Sequence, residues 1–379
     1  MNKFAKMITA ASILLLGACA GGSGTPAEPS PELHTYNNIS WDAGFDTIFT
    51  YQEATETKEV FDARFSEAVS LFTYYNNLFD IYNEYDGMNN LYTVNANAGK
   101  EAVKVDPDLI EMLEKARDFY SLSGGKFDIT IGSLLSIWHE YRTEGIDLNT
   151  EGKPAPVPEY DALSAAMQHS GWDCVEINKE ESTVFITDPE VSLDVGGIAK
   201  GFAVEKIARK LSEQGAVHGA VNAGGNTRTL GQKYNGQAWR IGIQNPEGDG
   251  SLLVVQQEGA CSFVTSGDYE RFYIGEDGKS YHHIIDSSTL YPADYFRSVS
   301  ILTPDYADAD ALSTTLFTMS YEDGIKLIEA YKKQHPGTML EVIWLLDPDR
   351  EVNTELQRET HGLKAVWTQG LSDKIIWSD

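Results

Sequence analysis

The chain has 379 residues, 42% of them hydrophobic, and a formal net charge of −28. That acid excess excludes a nucleic-acid binder, because phosphate contacts need clustered Lys and Arg, and it leaves an acidic, solubilising surface as the simplest reading. The length suffices for a sizeable core, expected as two lobes around a cleft.

In chain order, Lys3 and Lys6 precede an apolar run from Met7 to Leu16. A run of about ten residues fits a signal-peptide core and is too short to span a bilayer. It closes in Leu16-Gly17-Ala18-Cys19, which is similar to the lipobox of bacterial lipoproteins. That similarity implies a signal peptide over residues 1–18, lipidation at Cys19 and a protein anchored to a membrane outside the cytoplasm. Residues 19–37, rich in Gly, Pro, Ser and Glu, read as a flexible tether. Residues 38–379 read as the folded domain.

Within that domain, 46–54 alternates as an early strand, and 58–83 carries a helical stripe of Val60, Phe61, Phe65, Val69 and Phe72. Pro107 opens a helix with Leu109, Ile110, Leu113 and Ala116 on one face. Residues 123–138 read as a glycine turn, a short β-rich piece and an apolar segment. Short strands follow over 173–194, an amphipathic helix over 202–215, and strands at 219–226 and 239–246. Residues 259–286 read as a meander with a hairpin at Asp277-Gly278. A strand at 298–304, a helix from about 308 and a strand at 339–349 complete the series. Strands in runs and helices in runs predict an α+β fold with mixed or antiparallel sheets and packed helices. Cys174 and Cys261 can pair in an exported protein or stay as buried thiols, the favoured reading, and no nearby CxxC pair or ligand-spaced histidine argues for metal or redox chemistry.

Three stretches carry chemistry. The first, Asp194-Val195-Gly196-Gly197-Ile198-Ala199-Lys200-Gly201, has three glycines and a lysine before a helix. It fails as GxxxxGK[ST], since Phe202 stands at the lysine position, and it fails as GxGxxG. Two readings remain open: an anion seat on freed amides and the helix dipole, or a tight turn with Asp194 capping the helix. The second stretch holds Asp310 and Thr314, four apart and so on one helix face. They are hard oxygen ligands suited to Mg²⁺, or a helix cap and a packing residue. The third is His282-His283 before Ile284 and Asp286. Adjacent histidines on a strand point to opposite faces, so at most one is a general base in a cleft.

In this order the pieces resemble the ApbE family, the FAD:protein FMN transferases. The resemblance rests on G-x-F-D-x-T-x-G at Gly125–Gly132, D-x-G-G-I-A-K-G-[YF]-A at Asp194–Ala203 and N-A-G-G-N at Asn222–Asn226. It continues through W-x-I-G-I-x-x-P at Trp239–Pro246, S-G-D-Y-E-R-[FY] at Ser266–Phe272, H-I-I-D-x-x-T at His283–Thr289 and A-D-A-L-[SA]-T at Ala309–Thr314. It implies FAD in a central cleft, bound with Mg²⁺. FMN would be transferred to a threonine of an extracytoplasmic flavoprotein subunit of a membrane respiratory complex, with release of AMP. It further implies Asp310, Thr314 and a carbonyl near Gly197 as metal ligands, with Ser313 a further candidate. Asp194, Lys200, Ile284 and the Lys126-Phe127-Asp128 segment would line the flavin nucleotide, with Tyr82 beside a ring, and His283 would deprotonate the acceptor. FAD pyrophosphatase activity and an exported flavin-binding lipoprotein are the competing functions. Two departures stand out. The family's Pro-Arg and Gly after H-I-I-D are Ser287-Ser288 and Leu290 here, so that loop is expected to be reshaped. Its early Met-Gly-Thr is Phe45-Asp46-Thr47.

Overall fold

The computed structural model describes residues 32–248 and 250–378. The expected signal peptide, Cys19 and most of the tether lie outside them. The strand His34–Ser40 pairs antiparallel with Phe49–Thr55, so His34 to Asn37 belong to the sheet and not to the tether.

The frame is a nine-stranded sheet in which every pairing is antiparallel. Along its central strands, period-two alternation feeds two cores. Val342, Trp344 and Leu346 face a main core, while Ile343 and Leu345 face a second one. The second core is closed by a three-stranded sheet containing Trp239–Gln244 and Ser251–Gln257. A fold of antiparallel sheets and packed helices is α+β, as expected, and its buried side chains form three hydrophobic clusters.

The helices are α1 (Lys58–Phe79), α2 (Leu91–Ala96), α3 (Pro107–Leu122), α4 (Gly132–Thr150), α5 (Tyr160–Met167), α6 (Ala199–Glu213), α7 (Tyr306–Phe317) and α8 (Tyr321–Gln334). Thr57 caps α1 through Val60 N–H, and Asp106 caps α3 just before Pro107. The α1 stripe is confirmed at Phe61 and Phe72, whereas Val60 is exposed. Residues 123–138 differ from expectation: the β-rich piece is a single bridge, Ile131 to Ser192, and the apolar segment is the first two turns of α4. That helix, α5 and two small hairpins enclose the third core, built on Leu134, Trp138, Tyr273 and Tyr281. Gly145 makes the close approach possible, since a Cβ there would stand 2.5 Å from the Tyr273 ring. Cys174 and Cys261 are both free, and only Cys261 is fully buried.

Candidate active site

The first turn of α6 lies across α7. A Cβ on Gly201 would come within 2.5 Å of Asp310 Cβ, so glycine alone permits the crossing. The Gly201 amide then donates to Asp310 Oδ2 at 2.8 Å. Burial raises the Asp310 carboxyl above its ordinary range, opposed by the Lys200 ammonium and the Gly201 amide. Asp305 caps α7, and Asp308 is taken by Lys115 and the Tyr331 hydroxyl. That leaves Asp310 as the α7 carboxylate available to a cleft.

Thr314, one turn on, is the one residue of α7 that is not buried. Its hydroxyl and methyl approach Gly197, where an added Cβ would lie 3.4 Å from Oγ1 and 3.2 Å from the Phe127 ring. A carboxylate, a hydroxyl and the Gly197 backbone thus converge beside Lys200. This hard-oxygen set fits Mg²⁺ completed by substrate phosphate. Among the described residues no group of three His, Cys, Asp or Glu side chains could hold a metal alone. Ser313, expected as a further ligand, is instead fully buried. Its hydroxyl donates to the Asp310 carbonyl and pairs with Ser266 Oγ, which commits it to packing α7 on the sheet.

Asp194 does not cap α6, whose N-cap position is Ile198 with no side-chain acceptor. It caps the preceding turn, accepting from Gly196 N–H at 2.8 Å, and burial raises its carboxyl. Asp128 is similarly raised by burial and is held by the amide and hydroxyl of Thr130. Phe127 is buried against Phe119. Lys126 reaches 160 residues along the chain to Asp286 Oδ1 at 2.8 Å and to Ser288 Oγ at 2.9 Å, so its ammonium clasps a loop.

The histidines divide. His282 is buried against Phe317, with Nε2 on the Ala293 carbonyl and Nδ1 accepting from Ile284 N–H, and burial lowers its pKa to about 4. Ile284 itself is buried, and its carbonyl accepts from Ala293 N–H. His283 has a buried Nδ1 without a partner. Burial first, then the charges of Arg271, His282, Arg142 and Lys200, hold it well below the ordinary histidine range. It is a neutral base facing cations.

Tyr82 is exposed and tilted over His139 at 5.1 Å, with its hydroxyl 3.4 Å from Nδ1. Asp80 secures that loop by accepting from Tyr82 and Asn83 amides and the Tyr85 hydroxyl. His139 and Arg142 carry no signal in the sequence, because the apolar residues 134–138 do not by themselves define the helix α4. Arg271 sat unremarked inside the S-G-D-Y-E-R-F stretch. A surface depression of about 500 Å³ runs along the outside of α4, lined by His139, Glu140, Glu144, Asp147 and Glu151. Its carboxylates repel phosphate, so this depression is not a seat for a nucleotide's phosphates.

Both departures from the family pattern place a side chain on left-handed backbone. Leu290 stands where the family has glycine and holds φ +67°, with its carbonyl accepting from Trp138 Nε1 at 2.9 Å. Asp46, at the other glycine position, holds φ +48°. Both sit in the left-handed region that glycine adopts freely, so each non-glycine side chain holds its turn at some strain.

The ApbE family profile matches residues 45–338. The FAD:protein FMN transferase of Treponema pallidum is 36% identical over 278 residues, 69% of this chain and 72% of that one. The ApbE crystal structure from Thermotoga maritima superposes with a TM-score of 0.68 at 28% identity, covering 82% of this chain and 94% of that one. The flavin transferase ApbE of Vibrio cholerae gives 0.69 at 23% identity, over 90% and 99%, a likeness of fold.

Proposed function

The chain belongs to the ApbE family, and we propose that it is an enzyme transferring FMN from FAD to a threonine hydroxyl of an acceptor protein, with release of AMP. The observation that carries this reading is the convergence of Asp310, Thr314 and Gly197 beside Lys200, with the neutral, unpartnered Nδ1 of His283 within reach of the same cations.

Asp310, Thr314 and the Gly197 backbone would hold Mg²⁺, which when bound neutralises pyrophosphate charge. The protein's own residues supply the rest. Lys200 places a positive charge beside Asp310 and His283. His283 is unprotonated at neutral pH and can take the proton of an incoming hydroxyl. The Lys126–Asp286–Ser288 clasp fixes the loop that carries His283. Tyr82 and His139 offer an aromatic face for a planar ring.

An extracytoplasmic site of action, with Cys19 lipidated and an acceptor in a membrane respiratory complex, belongs to the same proposal. It is supported by the Leu16–Cys19 stretch. Among the described residues no helix is long and apolar enough to cross a membrane. Mass spectrometry of the mature N-terminus tests the anchor.

The decisive assay incubates the protein with FAD, Mg²⁺ and acceptor subunits encoded beside it and reads in-gel flavin fluorescence. A covalent adduct is expected. Rapid AMP release without acceptor and with no adduct would favour a pyrophosphatase. FAD binding indifferent to Mg²⁺ and to Asp310→Ala would favour a binding protein.

A further inference from the structure

The close packing allowed by Gly145 has a consequence one turn earlier on α4. Arg142 is brought beside Arg271, the residue preceding the strand Phe272–Ile274, and Asn149 locks the two elements by bonding both the amide and the carbonyl of Ile274. The two guanidinium charges act on each other and on His283. The chain carries 57 acidic against 29 basic residues, and its other clustered arginines are paired. Arg297 takes Asp268 and Glu247, and Arg209 takes Glu205 and Asp305. Among the described residues neither Arg142 nor Arg271 forms an ion pair. Arg142 donates to the neutral Nδ1 of His139 at 3.1 Å, and the carboxylate acting on it, Asp194, is satisfied by Gly196. A half-buried and an exposed guanidinium thus lie near the unpartnered, buried Nδ1 of His283, a grouping of donors suited to an anion.

We propose that Arg142 and Arg271 form a clamp for the phosphate of the departing adenylate, a nucleoside monophosphate, an assignment that rests on the transfer reaction above. Phe272 pairs with His282, which sets Arg271 across the hairpin from His283, and the charges of Arg271, Arg142 and Lys200 all act on that histidine. The site therefore offers several positive charges, and a pyrophosphate carries two negative phosphates. In the transfer, the acceptor oxygen forms a bond to the FMN phosphorus and its proton passes to His283. The bond from that phosphorus to the bridging oxygen breaks, and its electron pair leaves with the adenylate. The adenylate phosphate goes from one negative charge to two. Guanidinium donors at that position stabilise charge where it develops. The tyrosine and histidine rings beside the clamp give the adenine a stacking face.

The test titrates the full chain with AMP and with adenosine, in EDTA, by calorimetry. Wild type should bind AMP more tightly than adenosine. Arg142→Gln and Arg271→Gln should each weaken AMP roughly tenfold, the loss expected for a charge-assisted hydrogen bond, and leave adenosine unchanged. Product inhibition by AMP should weaken in parallel. Arg271 is exposed, so its variant carries the test should the Arg142 variant melt early. Unchanged AMP affinity in Arg271→Gln overturns the clamp, as does equal weakening of adenosine. Unchanged AMP affinity with a raised KM for the acceptor assigns the pair to acceptor recognition instead. Wild type that forms the FMN adduct while either outcome holds leaves the transferase reading standing. Wild type that binds neither FAD nor AMP overturns both.

Discussion

Gly201 donates its amide hydrogen to Asp310 Oδ2 at 2.8 Å across 109 residues of sequence, so the first turn of α6 and the cleft face of α7 share one carboxylate. The turn and the proposed metal ligand are therefore one structural unit, and disturbing either should be read at the other.

Asp310→Asn keeps an oxygen for the Gly201 amide and removes the charge that burial penalises. The metal-free variant should melt at or above the wild-type temperature, while the Mg²⁺-induced rise disappears. Thr314→Val should lower Mg²⁺ affinity by more than the roughly tenfold typical of outer-sphere partners. Calorimetric Mg²⁺ titration at wild-type affinity in both variants would remove them from the metal site.

Gly201→Ala should lose roughly 1–3 kcal/mol, because its methyl would overlap Asp310 Cβ and the Tyr306 carbonyl. Urea denaturation measures the cost. A midpoint equal to wild type would show that α6 and α7 can part without penalty.

The pH profile of transfer should reflect a histidine that resists protonation. Since His283 lies well below its ordinary range, the basic form persists as pH falls through 6.5, and the rate should decline only in more acid solution. Arg271→Gln should move that inflection upward. His283→Ala should slow transfer by about 10²–10⁴ while FAD still binds. An inflection at or above 6.5 in wild type contradicts this assignment.

Asp46 is exposed and left-handed, so Asp46→Gly should be neutral or stabilising by up to about 1 kcal/mol, and Asp46→Val destabilising. Leu290 shares the strain but is buried, so Leu290→Gly should destabilise, the lost packing outweighing the relief. Paired melting curves decide both signs.

Stability should also fall with acid. The His282 pKa is lowered from 6.5 to about 4, so the unfolded chain binds a proton that the folded one refuses. The penalty is absent above 6.5, grows as pH falls and reaches roughly 3 kcal/mol below 4. His282→Gln should flatten this stretch of the stability curve.

Local patterns revealed the elements whose periodicity was unambiguous, α1, α3, α6 and the central strands. They did not reveal α4, because Leu134, Leu135, Ile137 and Trp138 form an apolar cluster too short to separate helix from buried strand. His139 and Arg142 were lost with it. Residues 34–37 read as tether, yet they begin the strand His34–Ser40, because an edge strand can be almost wholly polar, its faces open to water. Asp310 and Thr314 could be placed on one face from spacing alone. That they meet Gly197 and Gly201 depends on a helix crossing that no local pattern encodes.

The split between cores bears on motion. Ile284 packs into the main core and Ile285 into the third, so the chain passes from one to the other directly after His283. Asp310, Lys200 and Gly197 ride on the main core, whereas His139 and Arg142 ride on the helix that encloses the third. The third cluster can thus open as a local unit, at a free energy below that of global unfolding. Amide exchange should show α4, α5 and the Phe272–His282 hairpin opening together and faster than α6 and α7. Such breathing would set how quickly a spent nucleotide leaves.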